Sequence, residues 1–241
     1  MSKYSFSYRI YFSFFWLLIG ESLLCQLLRS FIILINSTIF LNLPAVIAVL
    51  SGAIYYKFSD FLASLAVEVE ELECSKYPKY NSILKLKENY NLLYKSGIEI
   101  EKTLSSTAFL LLCSQWVNLF VILVTFVVLD FNSFSTVHIW ECIPRVILVP
   151  MIIVGVVLCG ARVSSQTHRI QIGMQLIHNN LECDFETNWK TIQLVKSIMA
   201  TNFPKMTAFG VFTIKPALII SILGSVLTYG LLVLSIKKNN V

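Results

Sequence analysis

The chain has 241 residues, of which 56% are hydrophobic and only 14% are charged, and its formal net charge is +5 at pH 7. A soluble domain carries about a quarter charged residues, so this composition indicates a membrane protein. Lys and Arg are dispersed, and their longest run is Lys237-Lys238. A nucleic-acid-binding face needs clustered basic residues, so we expect no nucleic-acid partner.

The first apolar stretch, residues 10–28, follows Lys3 and Arg9. No small-residue cleavage site comes after it, so it is predicted to be a membrane helix and not a signal peptide. Glu21 lies within this span, where a carboxylate usually faces protein or water. It is a candidate for a ligand pocket or an interhelical bond, or else a carboxylate at the membrane interface. Asn36 opens the Asn36-Ser37-Thr38 sequon and is therefore a glycosylation candidate.

Two further spans are joined by a polar helical region. Residues 39–58 are predicted as the second span and 106–129 as the third. Between them, 59–105 is predicted to form two amphipathic helices in the cytoplasm, separated by a turn at Tyr77-Pro78. The second of these carries a heptad-like apolar seam at Ile83, Leu86, Tyr90, Leu93, Gly97, Ile100 and Leu104. This seam predicts a helical hairpin that packs on itself or a contact between subunits, and both can hold.

A fourth span is predicted at 144–161, after a loop at 130–143, and Pro150 is a candidate kink in it. Residues 162–207 are polar again and mostly helical by their periodicity, with Phe203-Pro204 as the end of that region.

The last apolar stretch, 216–236, begins with Pro216, which suits the first position of a helix. It would form about 31 Å of helix, which matches the core of a bilayer. One face of it carries small or weakly polar residues, namely Ala217, Ser221, Gly224, Ser225, Thr228 and Ser235. Such a stripe predicts close helix packing in lipid or, alternatively, a helix that lines a water-filled pathway.

These elements together predict an all-α membrane protein with about five transmembrane helices and long cytoplasmic helical extensions. We expect it in the plasma membrane, with a cytoplasmic N-terminus and an extracellular C-terminus. In that orientation most of the 19 Lys and Arg residues lie inside, as the positive-inside rule requires. The exceptions are Arg29, Arg145, Lys237 and Lys238.

Enzyme motifs are missing from the sequence: it has no Gly-rich phosphate loop, no His-Glu-x-x-His and no Gly-x-Ser-x-Gly. We therefore expect no enzymatic activity, no cofactor and no metal. The three histidines, His138, His168 and His178, lie far apart in sequence, and the six cysteines lack metal-ligand spacing. Cys25 and Cys142 are one pair that could meet near the outer leaflet.

The C-terminal region resembles the end of the arthropod gustatory receptors, which are relatives of the insect odorant receptors. The similar residues are Phe209-Gly210-Val211-Phe212, then Ser221-Ile222-Leu223-Gly224-Ser225, then Thr228-Tyr229. That family closes its last helix with Thr-Tyr, five apolar residues and Gln-Phe. Here Ser235-Ile236 stands where the family has Gln-Phe, which is the pair that the family places at the pore constriction.

The resemblance implies a seven-helix receptor of which this chain corresponds to the third helix onward. It implies a homo- or hetero-tetramer with other gustatory receptor subunits, embedded in membrane lipid, that opens a cation pore when a small tastant binds. The pore-lining candidates are Ser221, Ser225, Thr228, Leu232, Ser235 and Ile236. The alternatives are a non-channel membrane protein, such as a scaffold or small transporter, and a non-functional receptor fragment.

Overall fold

The structure is a computed structural model that describes residues 31, 35, 42–75, 79–128, 136–182 and 189–239. Contacts divide the chain into two units, Met1–Ala45 and Val46–Val241, and every contact described below lies within the second. The predicted span at 10–28, Glu21, Asn36 and Cys25 lie outside the described residues.

The described part of the second unit is built almost entirely from helices. Its elements in chain order are α1 (Leu43–Cys74), α2 (Tyr80–Val128), α3 (Thr136–Glu182), α4 (Trp189–Met199), β1 (Thr207–Ala208), β2 (Phe212–Thr213) and α5 (Ala217–Asn239). Of these, α1, α2, α3 and α5 are long and apolar enough to cross a membrane. The helical character predicted for the four later spans is thus confirmed for the described residues.

Helices α2 and α3 are much longer than a bilayer requires. They have 49 and 47 residues, which is about 70 Å each at about 1.5 Å per residue, whereas a bilayer core is about 30 Å thick. In both, an apolar half and a charged half belong to one continuous helix. The charged halves therefore extend as rigid rods beyond the apolar segments.

Two predicted boundaries were wrong. The loop expected at 130–143 is already helical from Thr136, and α3 carries Pro144 and Pro150 inside it. A proline removes one helical hydrogen bond, but an apolar helix with neighbours tolerates that loss. Helix α4 ends at Met199, before the expected end at Phe203-Pro204.

A two-stranded antiparallel hairpin interrupts the predicted all-α fold. It pairs Thr207 with Thr213 and Ala208 with Phe212. Both turn residues have positive φ, at 56° for Phe209 and 68° for Gly210, and Val211 N donates to Ala208 O at 3.1 Å. Two positive φ values in succession select the tight turn that matches strand twist, which explains a hairpin within so short a segment.

The charged halves of three helices, which are 59–74 of α1, 80–105 of α2 and 162–182 of α3, pack together with α4 around one apolar core. The predicted seam of α2 faces into it: Ile83, Leu86, Tyr90, Gly97 and Leu104 are buried. The other helices contribute buried Leu62, Val69, Ile170, Ile177, Val195 and Ile198. The seam is therefore used within the chain, which is the first of its two predicted roles.

Tyr90 and Gly97 join this core to the segment that follows α4. The Tyr90 hydroxyl donates to Thr201 O, and its ring lies edge-on to Phe203 with centroids 4.6 Å apart. Burial, with Tyr94 nearby, raises the pKa of Tyr90 to about 12, so the hydroxyl keeps its proton and remains a donor. At Gly97 an added Cβ would lie 3.2 Å from Pro204 Cγ.

Ion pairs connect the outer faces of this bundle. Arg162 lies 3.0 Å from Asp60 and Lys196 lies 3.1 Å from Glu182, and Arg169 donates to Glu70 at 2.8 Å. The hydrogen bond from Lys196 is the main cause that lowers the pKa of Glu182 below its ordinary value. All these pairs are partly exposed, so each contributes little to stability.

Candidate functional site

The hairpin is held on α2 by hydrogen bonds to two side chains of that helix. The Glu101 carboxylate accepts from Thr207 N at 3.0 Å and from the Thr207 hydroxyl. One turn further on, Ser105 accepts from Phe209 N through its hydroxyl at 2.7 Å. Because Glu101 and Ser105 are four residues apart, they lie on the same face of α2 and fix the first strand along it.

Aromatic side chains continue this contact toward the apolar half of α2. The Phe109 ring lies 5.6 Å from Phe209 and 6.5 Å from Phe212, measured between centroids. Phe209 nevertheless keeps 61% of its surface exposed. The Phe209-Gly210-Val211-Phe212 motif thus forms an exposed apolar tip at the level where α2 becomes apolar.

The end of the hairpin packs against α3 just before the last helix begins. Ile214 N donates to Met206 O at 3.0 Å, and the Ile214 side chain is buried. A Cβ added at Gly160 of α3 would lie 2.7 Å from Ile214 Cγ2, so only glycine fits at this contact. Leu218 N then donates to Lys215 O at 2.9 Å, which places Pro216 in the first turn as predicted.

One face of α5 packs on α2. Val226 and Gly230 are buried on this face, and Trp116 Nε1 donates to Ser225 Oγ at 3.0 Å. Tyr229 lies edge-on to Phe120, with centroids 6.1 Å apart. Ser225, a pore-lining candidate, therefore lies at the edge of the packed face.

The remaining pore-lining candidates lie on the exposed face of α5 that adjoins Ser225. Ser221, Thr228, Leu232, Ser235 and Ile236 are all exposed in the single chain. The Ser221 and Thr228 hydroxyls donate to the carbonyls of Ala217 and Gly224 at 3.1 and 2.8 Å. These hydroxyls present oxygen acceptors outward while their own protons are satisfied within the helix.

Sequence reasoning missed Glu101, Ser105 and Thr207, which join the hairpin to α2. A sequence signal exists for Glu101 and Ser105. They are a carboxylate and a hydroxyl four residues apart, at the point where the charged half of α2 gives way to its apolar half. Within 42–75, 79–128, 136–182 and 189–239, no three His, Cys, Asp or Glu side chains are grouped as metal ligands. The sequence matches no protein-family model, and no curated protein matches it significantly.

Proposed function

We propose that this chain is a multi-pass protein of the plasma membrane and a gustatory-type chemoreceptor subunit. In this proposal several copies, four by the resemblance, form a cation channel around their α5 helices, and a small tastant opens it. The ligand acts by binding the open state more tightly than the closed state.

The observation that carries the proposal is the uncovered polar face of α5. In the most apolar window of this helix only 11% of residues are buried, against 39% in α1, 22% in α2 and 33% in α3. The hydroxyls of Ser221, Thr228 and Ser235 lie on the same exposed side, about a quarter turn from the exposed Ile220 and Leu227. A helix with one apolar and one hydroxyl-bearing exposed side suits a boundary between lipid and water.

Exposed apolar residues on the charged halves support an assembly of several copies. Leu92 of α2 is 66% exposed and Trp189 of α4 is 63% exposed, although both lie outside the predicted spans. Trp is one of the residue types enriched in protein–protein interfaces. We propose that the subunits contact each other through this bundle as well as around α5.

Cysteine accessibility tests the pore. In a background without the six native cysteines, Ser221→Cys, Thr228→Cys and Ser235→Cys should react with a membrane-impermeant, charged thiosulfonate and lose tastant-evoked current. Ile220→Cys and Leu227→Cys are matched controls, since both side chains are exposed in the single chain but face the apolar side. If all five cysteines are equally protected from the reagent, the pore is refuted.

The second candidate is a non-channel membrane protein, such as a scaffold or small transporter. The intrahelical bonds of Ser221 and Thr228 favour it, because a hydroxyl that is satisfied within its own helix needs no water. Crosslinking in native membranes separates the two. A species of four subunits supports the channel, whereas monomers and dimers alone support the alternative.

A further inference from the structure

A cleft of about 440 Å³ opens between α3, the segment before the hairpin and residues 213–215 at the end of the hairpin. Its volume lies within the range of small-ligand sites, about 300–1,000 Å³. The polar side chains that line it include His168, Gln171, Asn202, Lys205, Lys215 and Thr167. None of the described residues that line it is an Asp or Glu, so its charge is positive.

The two lysines come together because of the hairpin. The bond from Ile214 N to Met206 O closes its open end, and Lys205 and Lys215 are the next residues outward on the two sides. Both are exposed, and no described carboxylate lies within ion-pair distance of either. Two ammonium groups without a counter-ion at the mouth of one cleft would attract a multiply charged anion.

A neutral hydrogen-bond donor lines the cleft together with the two lysines. Gln171 donates to the Asn202 side-chain oxygen at 3.2 Å, so the Asn202 amide presents its NH₂ group as the remaining polar end. Asn202 and the two lysines all line the cleft. Convergent donors with a positive charge match the oxygens of a phosphate group, which accepts several charge-assisted bonds at once.

The cleft lies where the apolar segments end. On α3 it runs from Val163 to Gln171, directly after the apolar segment 144–161, and Lys215 lies two residues before α5 begins. If these helices cross the bilayer, this is the depth of the lipid headgroups on the cytoplasmic side. That depth depends on the membrane placement in the proposed function but not on channel activity.

We infer that this cleft binds the phosphorylated headgroup of an anionic lipid. The phosphate monoesters lie between Lys205 and Lys215, and the acyl chains remain in the bilayer beside α5. A soluble inositol phosphate presents the same chemistry and is the other source of this ligand. Because the two lysines lie on either side of the hairpin, occupancy holds the first turn of α5 in one position relative to the segment after α4.

Binding to the full chain in phosphatidylcholine nanodiscs tests this inference. The probe is a fluorescent short-chain phosphatidylinositol bisphosphate, followed by anisotropy. Each lysine near a membrane surface contributes roughly fivefold in affinity, so Lys205→Gln with Lys215→Gln should weaken binding roughly 25-fold. Lys85→Gln with Lys95→Gln is the matched control, because it removes the same charge from exposed positions of α2.

The outcomes are distinguishable. The site is supported if the glutamine pair in the cleft weakens probe binding and the control pair changes it little. The arginine pair, Lys205→Arg with Lys215→Arg, should retain the affinity. If free inositol trisphosphate displaces the probe with equal affinity, the site is an anion site whose ligand is soluble. No binding to the wild type, or equal loss in both glutamine pairs, overturns the inference. None of these results depends on current through α5, so a failed pore test leaves them interpretable.

Discussion

Two glycines of α3 provide a matched test of how closely α1 and α3 approach each other. At Gly173 an added Cβ would lie 2.6 Å from Val69 Cγ1, whereas at Gly155 it would meet nothing within 4 Å. Both residues lie inside the same helix, so both gain about 1 kcal/mol of helix propensity when replaced by alanine. The two substitutions differ in this contact and in their surroundings, because Gly155 lies in the apolar segment 144–161 and Gly173 in the charged half.

The contact with Val69 decides whether alanine at position 173 stabilises or destabilises the protein. Val69 is 1% exposed, and a β-branched side chain inside a helix has one strongly preferred rotamer, so it cannot turn away without strain. Overpacking of this kind costs about 1–3 kcal/mol. We expect Gly155→Ala to stabilise the protein by up to about 1 kcal/mol. Gly173→Ala should leave the protein less stable than Gly155→Ala does, by the overpacking cost of the contact with Val69, about 1–3 kcal/mol.

Thermal unfolding followed by the fluorescence of the four tryptophans measures this difference. For a chain of this size 1 kcal/mol shifts the Tm by about 2–4 °C. All variants are compared in one detergent and at one scan rate, because unfolding that is irreversible depends on the rate. Adding Val69→Ala to Gly173→Ala should return part of the loss, which a double-mutant cycle quantifies. Equal Tm values for the two single variants would refute the close approach of α1 and α3.

Three further predictions concern hydrogen-bonded pairs. Glu101→Gln replaces the charged acceptor of Thr207 with a neutral one, so we expect a loss of about 1 kcal/mol in thermal unfolding; an unchanged Tm would contradict the bonds to the hairpin. Trp116→Phe and Ser225→Ala should each destabilise by about 0.5–1.5 kcal/mol, and the double variant by no more than either alone. The pKa of Glu182 is lowered in the folded state, so its ion pair stabilises above the ordinary value of 4.5 and loses this effect as pH falls through the folded value. The Tm difference between wild type and Glu182→Gln should therefore vanish in acid, and a difference that persists there would contradict the pairing.

Local sequence patterns predict the helices apart from two of their boundaries, and they do not predict the contacts between the helices. The seam that contains Leu86, Tyr90 and Gly97 was predicted from its spacing, because one helix face needs only local periodicity. The hairpin was missed because its turn depends on two consecutive positive φ values, one of them at Phe209, a residue that rarely adopts such φ. The same limit applies to the site: the stripe on α5 could be read from spacing, but the bond from Trp116 to Ser225 joins residues far apart in sequence.

The hairpin connects α2 and α3 to the start of α5. Its first strand is bound to α2 through Glu101 and Ser105, and its end packs through Ile214 against Gly160 of α3. The segment that leads into the first turn of α5 is therefore in contact with both α2 and α3 at this level. Two stiff helices of this length change their separation by tilting as rigid bodies, since their packed cores allow discrete arrangements more readily than continuous deformation. A larger side chain at Gly160 would push Ile214, which also lines the cleft, away from α3 without contacting the exposed stripe of α5. If α5 lines a channel as proposed, a change in opening with unaltered conductance in such a variant would assign the coupling to the hairpin, whereas altered conductance would mean that the stripe itself had moved.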